Sequence, residues 1–154
     1  MANSSAVCTS FKAEVLKGIH ALDTTVARGG TTKDTIMGAL FLASASLGAS
    51  TTTYSATGEI GNSGSYAAGG IEVTNTAGQV VNSSTSGVWT PSGSWSTGSG
   101  FTSSGAFDAI LIYNSTQGNK AIEVINFGSQ TVTSGTFTLT MPTNDSSTAL
   151  LRLA

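Results

Sequence analysis

Phe107-Asp108-Ala109-Ile110-Leu111-Ile112-Tyr113-Asn114-Ser115-Thr116-Gln117-Gly118-Asn119-Lys120-Ala121-Ile122-Glu123-Val124-Ile125-Asn126-Phe127 is the stretch that decides the fold. It reads as two apolar runs around a polar turn. The first run is dense about Ile110-Leu111-Ile112, and the second returns with Ile122, Val124, Ile125 and Phe127. The turn between them, Asn114 to Asn119, has the composition and length of a hairpin loop. Downstream, Thr136 to Met141 alternates: Phe137, Leu139 and Met141 point one way and Thr136, Thr138 and Thr140 the other. A period of two with one apolar face is a half-buried antiparallel strand whose Thr side meets water. Pro142 ends it. Leu151 and Leu153 share a face of one last strand and are expected in the core.

The same logic extends towards the N-terminus. Ile36 to Ala43 is a continuous small or apolar run, suited to a strand buried on both faces. It is too short to cross a bilayer as a helix, which takes about 20 residues, so no membrane partner is expected. Residues 70–76 alternate through Ile71 and Val73, and Val80-Val81 is a weaker candidate. Residues 88–95 are interrupted by Pro91 and Gly93, which places them at an edge or bulge. The segment from Gly48 to Gly70 is long for a connection; it hides a short strand near Glu59-Ile60 or forms a working surface loop. Arg28 to Thr32, with Gly29-Gly30, reads as a loop. One segment has a different period. Phe11, Val15, Ile19 and Leu22 make a single helical stripe, which predicts a helix over about 9–22 with Lys12, Glu14, Lys17 and His20 off the stripe. Residues 1–7 are small and polar and are expected as a flexible arm, followed by a single domain over 8–154. Short strands between turn residues, with one N-terminal helix, predict an all-β chain: an antiparallel two-sheet sandwich of jelly-roll or immunoglobulin-like order.

Composition agrees. Ser, Thr and Gly supply 66 of 154 residues, whereas Lys+Arg number 6 and Asp+Glu 8, for a net charge of −2. Disorder usually couples low hydrophobicity with high net charge, but here 39% of residues are hydrophobic. Thr suits a pleated surface, and Gly and Ser suit turns. The absence of a basic surplus argues against nucleic acid as a partner. One Cys and one His are too few for a usual zinc or haem site, and no cofactor is expected.

The search for chemistry is mostly negative. The sequence holds no nucleophile elbow, dinucleotide fingerprint or P-loop. A serine nucleophile needs a base. The single imidazole, His20, reads as a surface residue beside the helix stripe. Cys8 lies about 18 Å from it along a continuous helix, so it reads as an unreactive thiol. None of the acids falls in a metal-ligand pattern. No catalytic residue and no metal ligand is assigned, and the chain is not expected to be an enzyme. Trp89, Trp95, Tyr54 and Tyr66 are the candidate partner-binding residues, because aromatic faces stack on sugars or dock on proteins; core packing is the alternative, preferred for at least one Trp.

Several motifs carry a resemblance. Residues 8–20 (Cys8-Thr9-Ser10-Phe11-Lys12-Ala13-Glu14-Val15-Leu16-Lys17-Gly18-Ile19-His20), Lys33-Asp34-Thr35, residues 52–59, Leu111-Ile112-Tyr113-Asn114-Ser115-Thr116, Phe127-Gly128-Ser129 and residues 136–142 resemble, in order, a family of small structural proteins of tailed bacteriophages. The match is weakest between Gly78 and Ser104. The resemblance implies a virion protein and brings no catalytic residue. It points to a capsid decoration or cement protein, an oligomer whose partner is the major capsid protein. The alternative is a tail- or fibre-associated protein that binds host glycans through loop aromatics.

Overall fold

The computed structural model describes residues 2–24 and 32–154; the loop expected at 28–32 falls, up to residue 31, outside them. The chain is an antiparallel all-β sandwich with one short N-terminal helix. Its main sheet has five strands in the order β1 (Ala6–Val7), β8 (Lys120–Gln130), β7 (Phe107–Asn114), β2 (Ile36–Leu42) and β3 (Ile71–Glu72). The quoted hairpin is its centre: Leu111 pairs with Val124 on one side and Ala39 on the other. Every residue of β7 is buried, as its unbroken apolar run requires.

The second layer is built from two smaller sheets. One has the order β10 (Leu151–Leu153), β5 (Ser86–Trp89), β4 (Val81–Ser83); the other pairs β6 (Ser94–Ser96) with β9 (Thr138–Thr140). Pro91 and Gly93 are the reason for the division. Proline cannot donate to a ladder, and Gly93 has φ +77°, so the 88–95 segment breaks into β5 and β6 in different sheets. Trp95 of β6 reaches across the sandwich to Gly38 of β2. A Cβ at Gly38 would lie 2.8 Å from Ile110 Cδ1 and 2.9 Å from Trp95 Nε1, so only glycine fits beneath the indole. The core joins both layers: Leu40, Ile110, Ile112 and Phe107 from the main sheet, Trp89, Trp95 and Leu151 from the smaller ones. Burying each large side chain there is worth about 1.5–3 kcal/mol. The segment near Glu59-Ile60 does run along β2: Leu42 N donates to Gly58 O and Ile60 N to Leu40 O.

Three expectations need correction. The helix α1 spans Thr9–Leu16, not 9–22. Gly18 takes φ +65°, and the bonds Gly18 N to Val15 O and Ile19 N to Glu14 O close the helix end. These form a Schellman motif, in which a glycine in the left-handed region stops the helix. Phe11 and Glu14 form its buried face, so Glu14 points inward and Ile19 and Leu22 belong to the chain beyond the turn. The flexible arm is corrected too: within residues 2–7, β1 pairs with β8 at Ala6–Val124 and Val7–Glu123, and Asn3 is buried. Finally, Leu151 is buried but Leu153 is 64% exposed, because its cross-strand neighbour Gly87 offers no side chain to pack against. Among the described residues no helix is long and apolar enough to cross a membrane.

Candidate functional site

The four aromatics proposed for partner binding are placed mainly inside. Trp89 and Trp95 are each 2% exposed and Tyr66 is 1% exposed, so none has a free ring face for a sugar or a protein. Trp89 Nε1 donates to Asn75 Oδ1 at 3.1 Å, and Trp95 Nε1 to Ile71 O at 3.0 Å. Buried indoles find such acceptors because an unmade hydrogen bond is costly in the interior. Tyr66 meets Trp95 edge to face at 6.4 Å. Tyr54 is half-buried and stacks on Tyr113 at 4.6 Å. Glu59 joins the two loop tyrosines: it accepts from Tyr54 OH at 2.5 Å, Tyr66 OH at 2.9 Å and Gly69 N at 2.8 Å. Burial, reinforced by Glu59, pushes both phenols well above the usual tyrosine range. These contacts pin the 48–70 loop against the main sheet. The partner-binding assignment of Trp89, Trp95 and Tyr66 is therefore corrected: they are core residues.

The polar residues that do converge were missed. His20 is not a surface residue; its side chain is 1% exposed. Because α1 stops at Leu16, the chain doubles back and sets the His20 ring 4.8 Å from Phe11. His20 Nε2 lies 2.9 Å from Glu14 Oε2, and Nδ1 lies 3.0 Å from Asn114 Nδ2. Asn114 is oriented by two further bonds: its Nδ2 donates to Asp34 Oδ2 at 2.7 Å, and its Oδ1 accepts from Gln117 N at 3.1 Å. An inverted amide would break both. The amide therefore donates to Nδ1, which selects the imidazole tautomer carrying its proton on Nε2. Lys120 Nζ closes the chain at 2.6 Å from Glu14 Oε1, and Gln117 Nε2 donates to Asp34 Oδ1 at 3.0 Å. Burial pushes the Glu14 carboxyl up, but the bonds from Lys120 and His20 outweigh it and leave the group below its ordinary value.

Chemically this chain of side chains ties elements together. It links α1, the residues after it, Asp34 and the β7–β8 hairpin. Both His20 nitrogens are engaged, so neither is left for Cys8, whose Sγ lies 4.0 Å from Gly48 O. Burial, with Glu123 and Glu14 adding, pushes the Cys8 thiol up to about 11, which suppresses the reactive thiolate. A second cluster secures the N-terminal residues. Asn3 Nδ2 donates to Asp108 Oδ1 at 2.6 Å and Leu42 O at 3.0 Å, and its Oδ1 accepts from Leu47 N at 2.9 Å. Asn126 Nδ2 donates to Asp108 Oδ2 at 3.1 Å and to Asn3 O at 3.0 Å. Among the described residues no three His, Cys, Asp or Glu side chains gather as metal ligands would.

Neither cluster had a sequence signal beyond the turn-forming character of Asn114. Their members are far apart in the chain, and no short motif encodes the pairing. Comparison of the chain with protein-family models, curated proteins and solved structures finds no match to any of them.

Proposed function

We propose that the chain is a non-enzymatic structural protein of a tailed-bacteriophage virion, a decoration or cement protein that docks on the capsid lattice in many copies. The exterior is the observation that carries this reading. Ser and Thr recur among the exposed strand residues, at Ser94, Ser129, Thr138 and Thr140. Glu14 and Asp108 are buried, and Lys120 is paired with Glu14. What remains outside is charge-poor, with exposed apolar residues at Leu16, Val80, Val81 and Leu153. Strands β4 and β10 end their sheet and present edges a partner strand could extend. Docking of this kind rests on shape and backbone pairing, and many weak contacts on a lattice add up through multivalency. The resemblance of its sequence motifs to those of small phage structural proteins is the other support for this reading. The major capsid protein is the proposed partner, with the chain itself assembling as an oligomer.

The glycan-binding alternative is not favoured, since three of its four aromatics are interior. The test is to mix purified protein with undecorated capsids and count bound copies by quantitative electrophoresis and cryo-microscopy. Hundreds of copies on the shell, binding that persists in 1 M salt where the Debye length is about 3 Å, and a gain in heat resistance are expected. No binding, or a few copies confined to the tail, would overturn the reading.

A further inference from the structure

We propose that Glu123 is a proton-controlled latch for α1: with its carboxyl protonated the helix rests on β8, and with the proton gone the helix and its cap Cys8 leave the sheet. The geometry begins with register. Glu123 sits on β8 opposite Val7 of β1 and Ile112 of β7, so both strand neighbours on its face are apolar. Its Oε2 is enclosed and has no hydrogen-bond partner. Ser10 Oγ, in the first turn of α1, is enclosed without a partner as well. The one cation on β8, Lys120, is held by Glu14, whose other oxygen is held by His20.

A negative charge on Glu123 would thus bear on Cys8 at the helix cap, whose thiol it pushes up, with Lys120 and His20 already engaged by Glu14. Val7 and Ile112 add no charge. Burial raises the Glu123 carboxyl to about 8. The helix is the part that can yield. It has eight residues, no side-chain cap at Cys8 and an exposed Leu16, and a helix this short is marginal without its tertiary contacts. The direction follows from linkage. A carboxyl raised from its ordinary 4.5 to about 8 favours the closed state fully below pH 4.5, and that preference is lost as pH rises through 8. Opening therefore grows about tenfold per pH unit across this window and levels off above it.

Cys8 is the single cysteine and is fully buried, so it reports the opening. The experiment follows alkylation of Cys8 by iodoacetamide in the intact native chain between pH 6 and 8, with Glu123→Gln beside it. The wild type should speed up about a hundredfold per pH unit, tenfold from opening and tenfold from the thiolate fraction. Glu123→Gln should speed up only about tenfold, from the thiolate alone. Equal slopes in the two proteins would overturn the proposal. Should the variant not fold, hydrogen exchange of the wild type decides. Amides of Thr9–Leu16 should lose protection with rising pH, beyond base catalysis, while those of β7 keep theirs. Loss of protection in both, or in neither, would overturn the latch.

Discussion

Replacing Asn3 by Ala tests whether the N-terminal residues are part of the fold. The side chain makes three bonds: to Leu42 O, to Asp108 Oδ1 and from Leu47 N. Asn3 is only 6% exposed and Asp108 8%, so water cannot readily replace what is lost. A neutral bond contributes about 0.5–1.5 kcal/mol and one to a charged group about 1.5–3 kcal/mol. Together these give a destabilisation of about 2.5–6 kcal/mol. For a domain of this length each kcal/mol lowers Tm by about 2–4 °C, so a fall of about 5–24 °C is expected by calorimetry. Ser104→Ala, at an exposed position, should stay within about 0.5 kcal/mol. Asn3→Asp adds a sharper test. It sets a second carboxylate against Asp108, so like-charge repulsion should make it at least as destabilising as Asn3→Ala. A fall below about 2 °C for Asn3→Ala would show that the arm is dispensable, and the clasp reasoning would fail.

Gly38→Ala should force Trp95 aside, costing about 1–3 kcal/mol for overpacking and shifting Trp fluorescence to the red; an unchanged spectrum would contradict the close approach. Lys120→Met should be destabilising at pH 7 and less so at pH 3. Glu14, held below its ordinary 4.5, contributes stability that is present above that value and lost as pH falls through the lowered one; urea midpoints at the two pH values measure the difference. Leu151→Ala should cost about 2–5 kcal/mol, whereas Leu153→Ala should stay within about 0.5 kcal/mol; equal losses would refute the placement of β10.

The hairpin of β7 and β8 was legible because its period and turn chemistry are local. The alternation at Phe137, Leu139 and Met141 was legible for the same reason. The end of α1 was misread: the stripe continues in sequence through Ile19 and Leu22, but Gly18 breaks the helix, and a glycine's backbone choice outweighs spacing. The arm was misread because small polar residues resemble a loose terminus, and nothing near Asn3 announces Asp108 or Asn126. For Trp89 and Trp95 the sequence leaves core and display both open, because Pro91 and Gly93 break the strand alternation that would assign their faces. Burial there depends on how the smaller sheets lie over Gly38 and Asn75, which is a property of the whole fold.

The Asn3 clasp has a consequence for how the chain comes into being. Its partners Asp108 and Asn126 lie 105 and 123 positions away along the polypeptide. Asn3 must therefore wait until some 123 further residues have been made before its contacts are complete. Contacts of such long range slow folding, and a nascent chain halted before Asn126 would carry its beginning undocked, open to proteolysis or to capture by a neighbouring copy.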